Sequence, residues 1–269
     1  MIIKNDLFLF LNELTPSDTI LNASANVKAV FVACLLKSSV KSYCRVQLEV
    51  VSGNAPKLLC TQIHPADIAS IIAIQGPNSQ KILSAVYDLN LNNFHIYQDD
   101  EVMIARTGYT GELGFEIISD QTKGLELWNY FVKENVMPIG LAARDTLRLE
   151  AGLNLYGSDM TVENHPYESN LGWTVDHNDS ERNYIGKKAI VAKEKSGKEL
   201  LGFYTNERGV LRAGTHVYFN GGEGVITSGT WSPTFKKNIG FCRVDTNNQD
   251  SGLALLRDKE INLHFCKTN

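Results

Sequence analysis

Gly108, Gly111 and Gly114 recur at every third position between two alternating segments, Glu101–Arg106 and Gly114–Ile118, and this pattern restricts the folding of the chain more than any other. Period-two alternation on both sides predicts a pair of antiparallel strands with the glycine segment as their connection. On the second strand Phe115 and Ile117 share one face, so Glu116 points to the other. A tight turn needs one or two glycines, whereas this segment has three around Tyr109 and Thr110 and ends on a carboxylate. Two readings stay open for it: a hairpin that serves folding alone, or a loop that approaches a ligand. Glu116 is likewise either a solvated strand residue or a ligand contact. Nucleotide binding is disfavoured, because the segment lacks both the strand-to-helix context and the lysine of a phosphate loop.

The neighbouring segments supply a mixed set of elements. Ile68–Ile74 reads as a strand that Gly76-Pro77-Asn78 stops, opening a helix over Ser79–Tyr87. A further helix is predicted over Lys123–Glu134, with Leu127, Trp128 and Phe131 on its apolar stripe. Leu7–Phe10 reads as a buried strand that turns at Thr15–Asp18 and resumes at Thr19–Leu21. Asn26–Val40 is apolar on every side and reads as a buried helix. Beyond Lys195-Ser196-Gly197-Lys198 the chain turns to short strands separated by turns such as Asn220-Gly221-Gly222 and Trp231-Ser232-Pro233, the texture of a small sandwich or barrel. A domain boundary is therefore placed near residue 196.

A chain of 269 residues with 43% apolar content can bury a large core as one domain or as two or three smaller ones. Its net charge of -4 and pI near 5.9 argue against non-specific nucleic-acid binding, which draws on a basic excess. The excess of basic residues between Ala23 and Cys60 is read as a solvated face or as the lining of an anion site. The longest apolar run, Ala29–Leu36, is far shorter than the roughly 18 to 20 residues of a membrane-spanning helix. The opening residues lack the regions of a signal peptide, which gives an expected cytoplasmic address, or a mitochondrial matrix one in a eukaryote. The five cysteines are odd in number and scattered, so they read as reduced, mostly buried thiols. No metal-ligand cluster stands out.

Arg144 and Arg148 are four apart in a helical pattern and share a face, where like charges repel by a few tenths of a kcal/mol. Asp145 can relieve Arg148, and Glu150 is close in sequence. The pair is either an internal ion network or a guanidinium fork for a planar polar ligand. Asp6, between apolar residues on a predicted strand, is at an exposed edge or desolvated and suited to proton transfer.

At these residues the chain resembles the glycine cleavage system T-protein, the aminomethyltransferase family. The resemblance runs from about Ile71 to Lys267 through IAIQGPNSQ, RTGYTGELGFEI, PIGLAARDTLRLEAGLNLYGSDM, NLGWTV, IGKKAI, GVLR and ITSGTWSPT. It implies that Glu116 and Arg144 hold the pteridine ring of tetrahydrofolate, that Trp173 is a folate-site tryptophan, and that Arg212 lies near the folate tail. Asn5-Asp6-Leu7 and Leu21-Asn22-Ala23 resemble the family's catalytic strand and a folate-contacting asparagine sixteen residues on. Asp6 is thereby implied as the catalytic carboxylate and Asn22 as a folate contact.

The implied fold is α+β, a folate-binding T-protein-like multidomain architecture. Residues 1–195 would form a folate-binding region of two intertwined subdomains, and residues 196–269 a carboxy-terminal β-barrel. The implied reaction moves an aminomethyl carbon from the lipoylated H-protein to tetrahydrofolate and releases ammonia. The chain begins at the strand that carries Asp6, where the family has a further segment, so an amino-terminally shortened member is expected. Alternatives are a folate-binding homologue without catalysis, with a regulatory or assembly role, and a folate-dependent demethylase acting on a small methylated substrate. The cysteine that marks the iron-sulfur maintenance branch of this fold is missing from the glycine loop, which counts against that branch. Oligomeric state is not legible in the sequence.

Overall fold

The structure is a computed structural model that describes residues 29–33, 43–49, 57–63, 70–175, 181, 183–192, 197–246, 250–257 and 259–267, the first three segments as backbone. The chain divides into two units, Met1–Arg144 and Asp145–Asn269.

Period-two patterning builds the first unit. Strands β1 (Ala29–Ala33), β4 (Ser70–Gln75), β5 (Ile96–Gln98), β6 (Val102–Ala105), β7 (Gly114–Ser119) and β8 (Met137–Ile139) form one sheet in the order β5-β6-β7-β4-β1-β8. Strands β2 (Tyr43–Glu49) and β3 (Lys57–Ile63) pair with each other as an antiparallel ribbon. β7 lies antiparallel between β4 and β6, so Glu116 is opposite Ala73 on one side and Ala105 on the other. Ile72, Ile74, Ile104, Phe115 and Ile117 are buried in the core, whereas Glu116 is only partly buried, as alternation on β7 dictates.

The helix α1 (Ser79–Leu83) packs against β7, and α2 (Gln121–Lys133) packs against β4 and β7. α1 ends before the expected Tyr87, because beyond Leu83 the amides of Ala85 and Val86 turn back three residues, to Ile82 and Leu83. On α2 Leu127 and Phe131 face the core with Trp128 beside them, as the stripe predicts. Asp120 caps its start by accepting Lys123 N–H at 2.8 Å. Asn135 ends it in a left-handed turn, φ 60°, that lets Val136 N–H reach Phe131 O.

The expected helix over Asn26–Val40 is corrected at Ala29–Ala33, which is strand β1. It runs antiparallel to β4 and parallel to β8. A run that is apolar on every side suits an inner strand of a sheet as well as a buried helix, and Val30, Phe31 and Val32 favour the strand. The predicted strands at Leu7–Phe10 and Thr19–Leu21 lie outside the described residues.

The second unit holds a closed six-stranded antiparallel barrel, ordered β10-β11-β12-β9-β14-β13. Its strands are β9 (Lys198–Thr205), β10 (His216–Phe219), β11 (Gly222–Ser232), β12 (Lys237–Asp245), β13 (Ser251–Leu256) and β14 (Lys259–Cys266). Closure leaves no unpaired strand edge. Inward residues, among them Phe203, Val217, Ile226, Cys242, Val244, Ile261 and Leu263, fill it. The barrel starts where the sequence changes texture. Before it come a helix, α3 (Leu141–Glu150), that crosses from the first unit, 3-10 turns at Pro166–Ser169 and Gly172–Thr174, and a short helix, α4 (Lys187–Ala192).

Candidate functional site

The glycine loop is mounted on the end of β4. Gln75, 2% exposed, donates from Nε2 to Thr107 O at 3.3 Å and Phe115 O at 3.4 Å, and its Oε1 lies 3.5 Å from Thr110 Oγ1. A Cβ on Gly108 or Gly114 would overlap this amide, which explains two of the three glycines. Gly111 supplies a positive φ of 76°. Gly76 N–H and Ser79 Oγ both donate to Leu113 O, at 2.8 and 3.2 Å. The segments IAIQGPNSQ and RTGYTGELGFE thus form one hydrogen-bonded body.

Two charged groups are attached to this loop. Thr107 Oγ1 donates to Glu116 Oε2 at 2.5 Å. The guanidinium of Arg144, in the second turn of α3, lies over the ring of Tyr109, 4.7 Å from its centroid, at cation-π distance. Glu116 and Arg144, 28 residues apart in sequence, are therefore tied to loop positions only two residues apart, Thr107 and Tyr109. The arrangement places a carboxylate and a guanidinium on one loop.

Of the arginine pair, Arg148 belongs to an internal network. It is 1% exposed and donates to Asp145 Oδ1 at 2.9 Å, Asp159 Oδ2 at 2.5 Å, Leu153 O at 3.0 Å and Ser228 Oγ at 2.8 Å. Asp159, fully buried, also accepts Leu155 N–H and the hydroxyls of Thr227 and Ser228. Glu150 joins a separate pair of hydroxyls, Ser232 at 2.6 Å and Thr234 at 3.0 Å. Nearby, Arg243 donates to the carbonyls of Glu168 and Asp159, and burial lowers its pKa.

In the second unit Trp173 is 79% exposed on its 3-10 turn, with an indole face open to solvent. Gly172 has no room for a Cβ because the Tyr167 ring occupies that space. Arg212 is exposed on a turn closed by Thr215, whose N–H and Oγ1 donate to Arg212 O at 3.1 and 2.8 Å. Asp6 and Asn22 lie outside the described residues. Sequence reasoning missed Gln75, Thr107 and Tyr109. The signal available for Gln75 was a polar side chain at an inward-facing end of an otherwise apolar strand, next to a Gly-Pro turn.

Two family descriptions match: the GCVT N-terminal domain over residues 41–179 and the glycine cleavage T-protein C-terminal barrel domain over residues 198–267. The chain belongs to the glycine cleavage T-protein family. Among its relatives, an aminomethyltransferase of Francisella tularensis subsp. tularensis (strain WY96-3418) is 40% identical over 215 residues, 76% of this chain and 60% of the relative. An aminomethyltransferase of Xylella fastidiosa (strain M23) is 48% identical over 168 residues, 62% of this chain and 45% of the relative. The chain thus spans about half the length of these relatives. The crystal structure of glycine cleavage system aminomethyltransferase T from Bartonella henselae superposes with a TM-score of 0.70 at 25% identity, covering 93% of this chain and 80% of that one. The α+β fold with a carboxy-terminal barrel is therefore that of the T-protein family. Among the described residues no helix is long and apolar enough to cross a membrane.

Proposed function

We propose that this T-protein family member is a tetrahydrofolate-dependent aminomethyltransferase of the glycine cleavage system, taking its carbon from the lipoylated H-protein. The observation that carries the reading is the joint attachment of Glu116 and Arg144 to the glycine loop, through Thr107 and Tyr109. These are the two residues that the family resemblance assigns to the pteridine ring. Their chemistry fits such a ring: Glu116 Oε1 has no hydrogen-bond partner among the described residues and can accept N–H bonds, while Arg144 is a permanent donor. Trp173, with its open indole face, and Arg212, with an exposed cation, suit an aromatic body and an anionic tail.

Tetrahydrofolate, when bound, supplies the nitrogens that take up the one-carbon unit. The protein's part is orientation and charge. Glu116 fixes the heterocycle by accepting its N–H groups, and Arg144 balances the carboxylate. Asp6 is assigned as the carboxylate that relays a proton or stabilises positive charge during transfer, and Asn22 as a further folate contact. Residues 1–195 are assigned to folate binding and residues 196–269 to the barrel domain. The protein would work in the cytoplasm, or in the mitochondrial matrix of a eukaryote.

The test is a transfer assay with aminomethylated, lipoylated H-protein and tetrahydrofolate, run for the wild type and for Asp6→Ala. The expected result is ammonia release and 5,10-methylenetetrahydrofolate formation by the wild type, abolished in the variant, with folate affinity within a few fold. Turnover unchanged by Asp6→Ala would remove that residue's role. Turnover with small methylated donors in place of the H-protein would assign the chain to the demethylases instead.

A further inference from the structure

Among the described residues Glu116 is held by one oxygen only. Thr107 Oγ1 donates to Oε2, while Oε1 has no partner among the described residues. Thr107 in turn is held through its backbone, because Gln75 Nε2 donates to Thr107 O at 3.3 Å. The same nitrogen donates to Phe115 O at 3.4 Å, on the residue preceding Glu116. One buried amide therefore grips the backbone on both sides of the Thr107–Glu116 pair. The absent Cβ atoms of Gly108 and Gly114 leave room for that amide.

A glutamate on a strand has three side-chain torsions with several staggered states each, and a free carboxylate would sample many of them. A hydroxyl donor on one oxygen selects one orientation and directs the remaining acceptor outward. We propose that Thr107 and Gln75 are positioning residues for Glu116: Thr107 sets the carboxylate so that Oε1 is presented to the N–H groups of a heterocyclic ligand, and Gln75 holds Thr107 at the required height. The proposal deepens the folate reading above and rests on it for the identity of the ligand. Neither residue needs to touch the ligand. Pre-set orientation favours binding by removing an ordering cost that would otherwise fall on the complex.

Three variants separate positioning from bulk structure. Thr107→Val keeps the shape and removes the donor, Thr107→Ser keeps the donor, and Gln75→Glu keeps the shape while replacing Nε2 by a second acceptor. In tetrahydrofolate titrations of the full chain, Thr107→Val is expected to weaken binding by about tenfold, the usual scale for one hydrogen bond to a charged group, and Thr107→Ser by less than about threefold. Gln75→Glu is expected to weaken it as Thr107→Val does. Because Thr107 acts through Glu116, the double variant Thr107→Val/Glu116→Gln should bind no more weakly than Glu116→Gln alone. Full affinity in Thr107→Val, or additive losses in the double variant, would overturn Thr107's role; full affinity in Gln75→Glu would overturn that of Gln75.

A ligand-free readout keeps this inference distinct from the folate reading. Crystal structures of unliganded wild type and Thr107→Val should show the Glu116 carboxylate in one orientation in the first and displaced in the second. An unmoved carboxylate overturns the positioning role whatever the ligand proves to be. Failure of the wild type to bind tetrahydrofolate would instead strike at the folate reading.

Discussion

The guanidinium of Arg148 is enclosed by Asp145, Asp159, Ser228 and the Leu153 carbonyl, whereas that of Arg144, one turn earlier, rests partly exposed over Tyr109. Their expected responses to mutation differ accordingly. Arg148→Met strands a fully buried carboxylate, and chemical denaturation should register a loss of about 3 kcal/mol or more; a loss below about 1 kcal/mol would contradict the network. Arg144→Ala removes the cation over Tyr109 and should weaken tetrahydrofolate binding. Unchanged affinity in that variant would argue against its ligand role. The four-residue spacing was enough to place both arginines on one helix. It was not enough to tell them apart, because Asp159 lies eleven residues away and Ser228 eighty. Local pattern carries no information about such partners. Thr107 escaped notice for the same reason: a loop threonine declares its role only when its hydroxyl is seen against Glu116.

Among elements, the strands around the glycine loop were the most legible, since alternation fixed both their existence and the face that Glu116 occupies. β1 was misread because uniform apolarity has no period, and only its neighbours β4 and β8 identify it as a strand. The barrel was legible as short strands and turns, but its closure depends on the pairing of β10 with β13, a non-local fact. Two expectations belong to it. On β12, a Cβ at Gly240 would meet the Ser228 carbonyl of β11 as well as the Phe203 ring, so Gly240→Ala must push paired strands apart. Thermal melts should show it destabilised by about 1 to 3 kcal/mol, and a wild-type melt would contradict the packing.

Glu207, beyond the end of β9, accepts Asn262 N–H at 2.8 Å, Asn262 Nδ2 at 3.1 Å and Lys259 Nζ at 2.9 Å, and these donors lower its pKa from 4.5 to about 2. A carboxyl whose folded pKa lies below its unfolded one adds stability above the unfolded value and loses it as pH falls through the folded one. The stability difference between wild type and Glu207→Gln should therefore be full at pH 5 and disappear toward pH 2. A difference that stays constant across that window would exclude the linkage.

On the scale of the whole molecule, family membership was legible because seven motifs occur in order from Ile71 to Lys267, and motif order survives where periodicity fails. The candidate site was legible in part. Glu116 and Arg144 meet the same loop within the first unit, Trp173 and Arg212 are exposed features of the second, and Asp6 and Asn22 lie outside the described residues. What the sequence did not reveal was the frame behind the loop, built from Gln75, Gly76 and Ser79, since hydrogen bonds that cross thirty or more residues have no local signature.

The folate reading has the glycine loop present Glu116 to tetrahydrofolate, and calorimetric titration of tetrahydrofolate into the purified 269-residue chain, beside Glu116→Gln, decides it. Saturable one-site binding by the wild type, weakened at least about tenfold in the variant with an unchanged melting temperature, is the expected result. A cooperatively melting wild type that binds no tetrahydrofolate, or binds it equally well without the carboxylate, would contradict it.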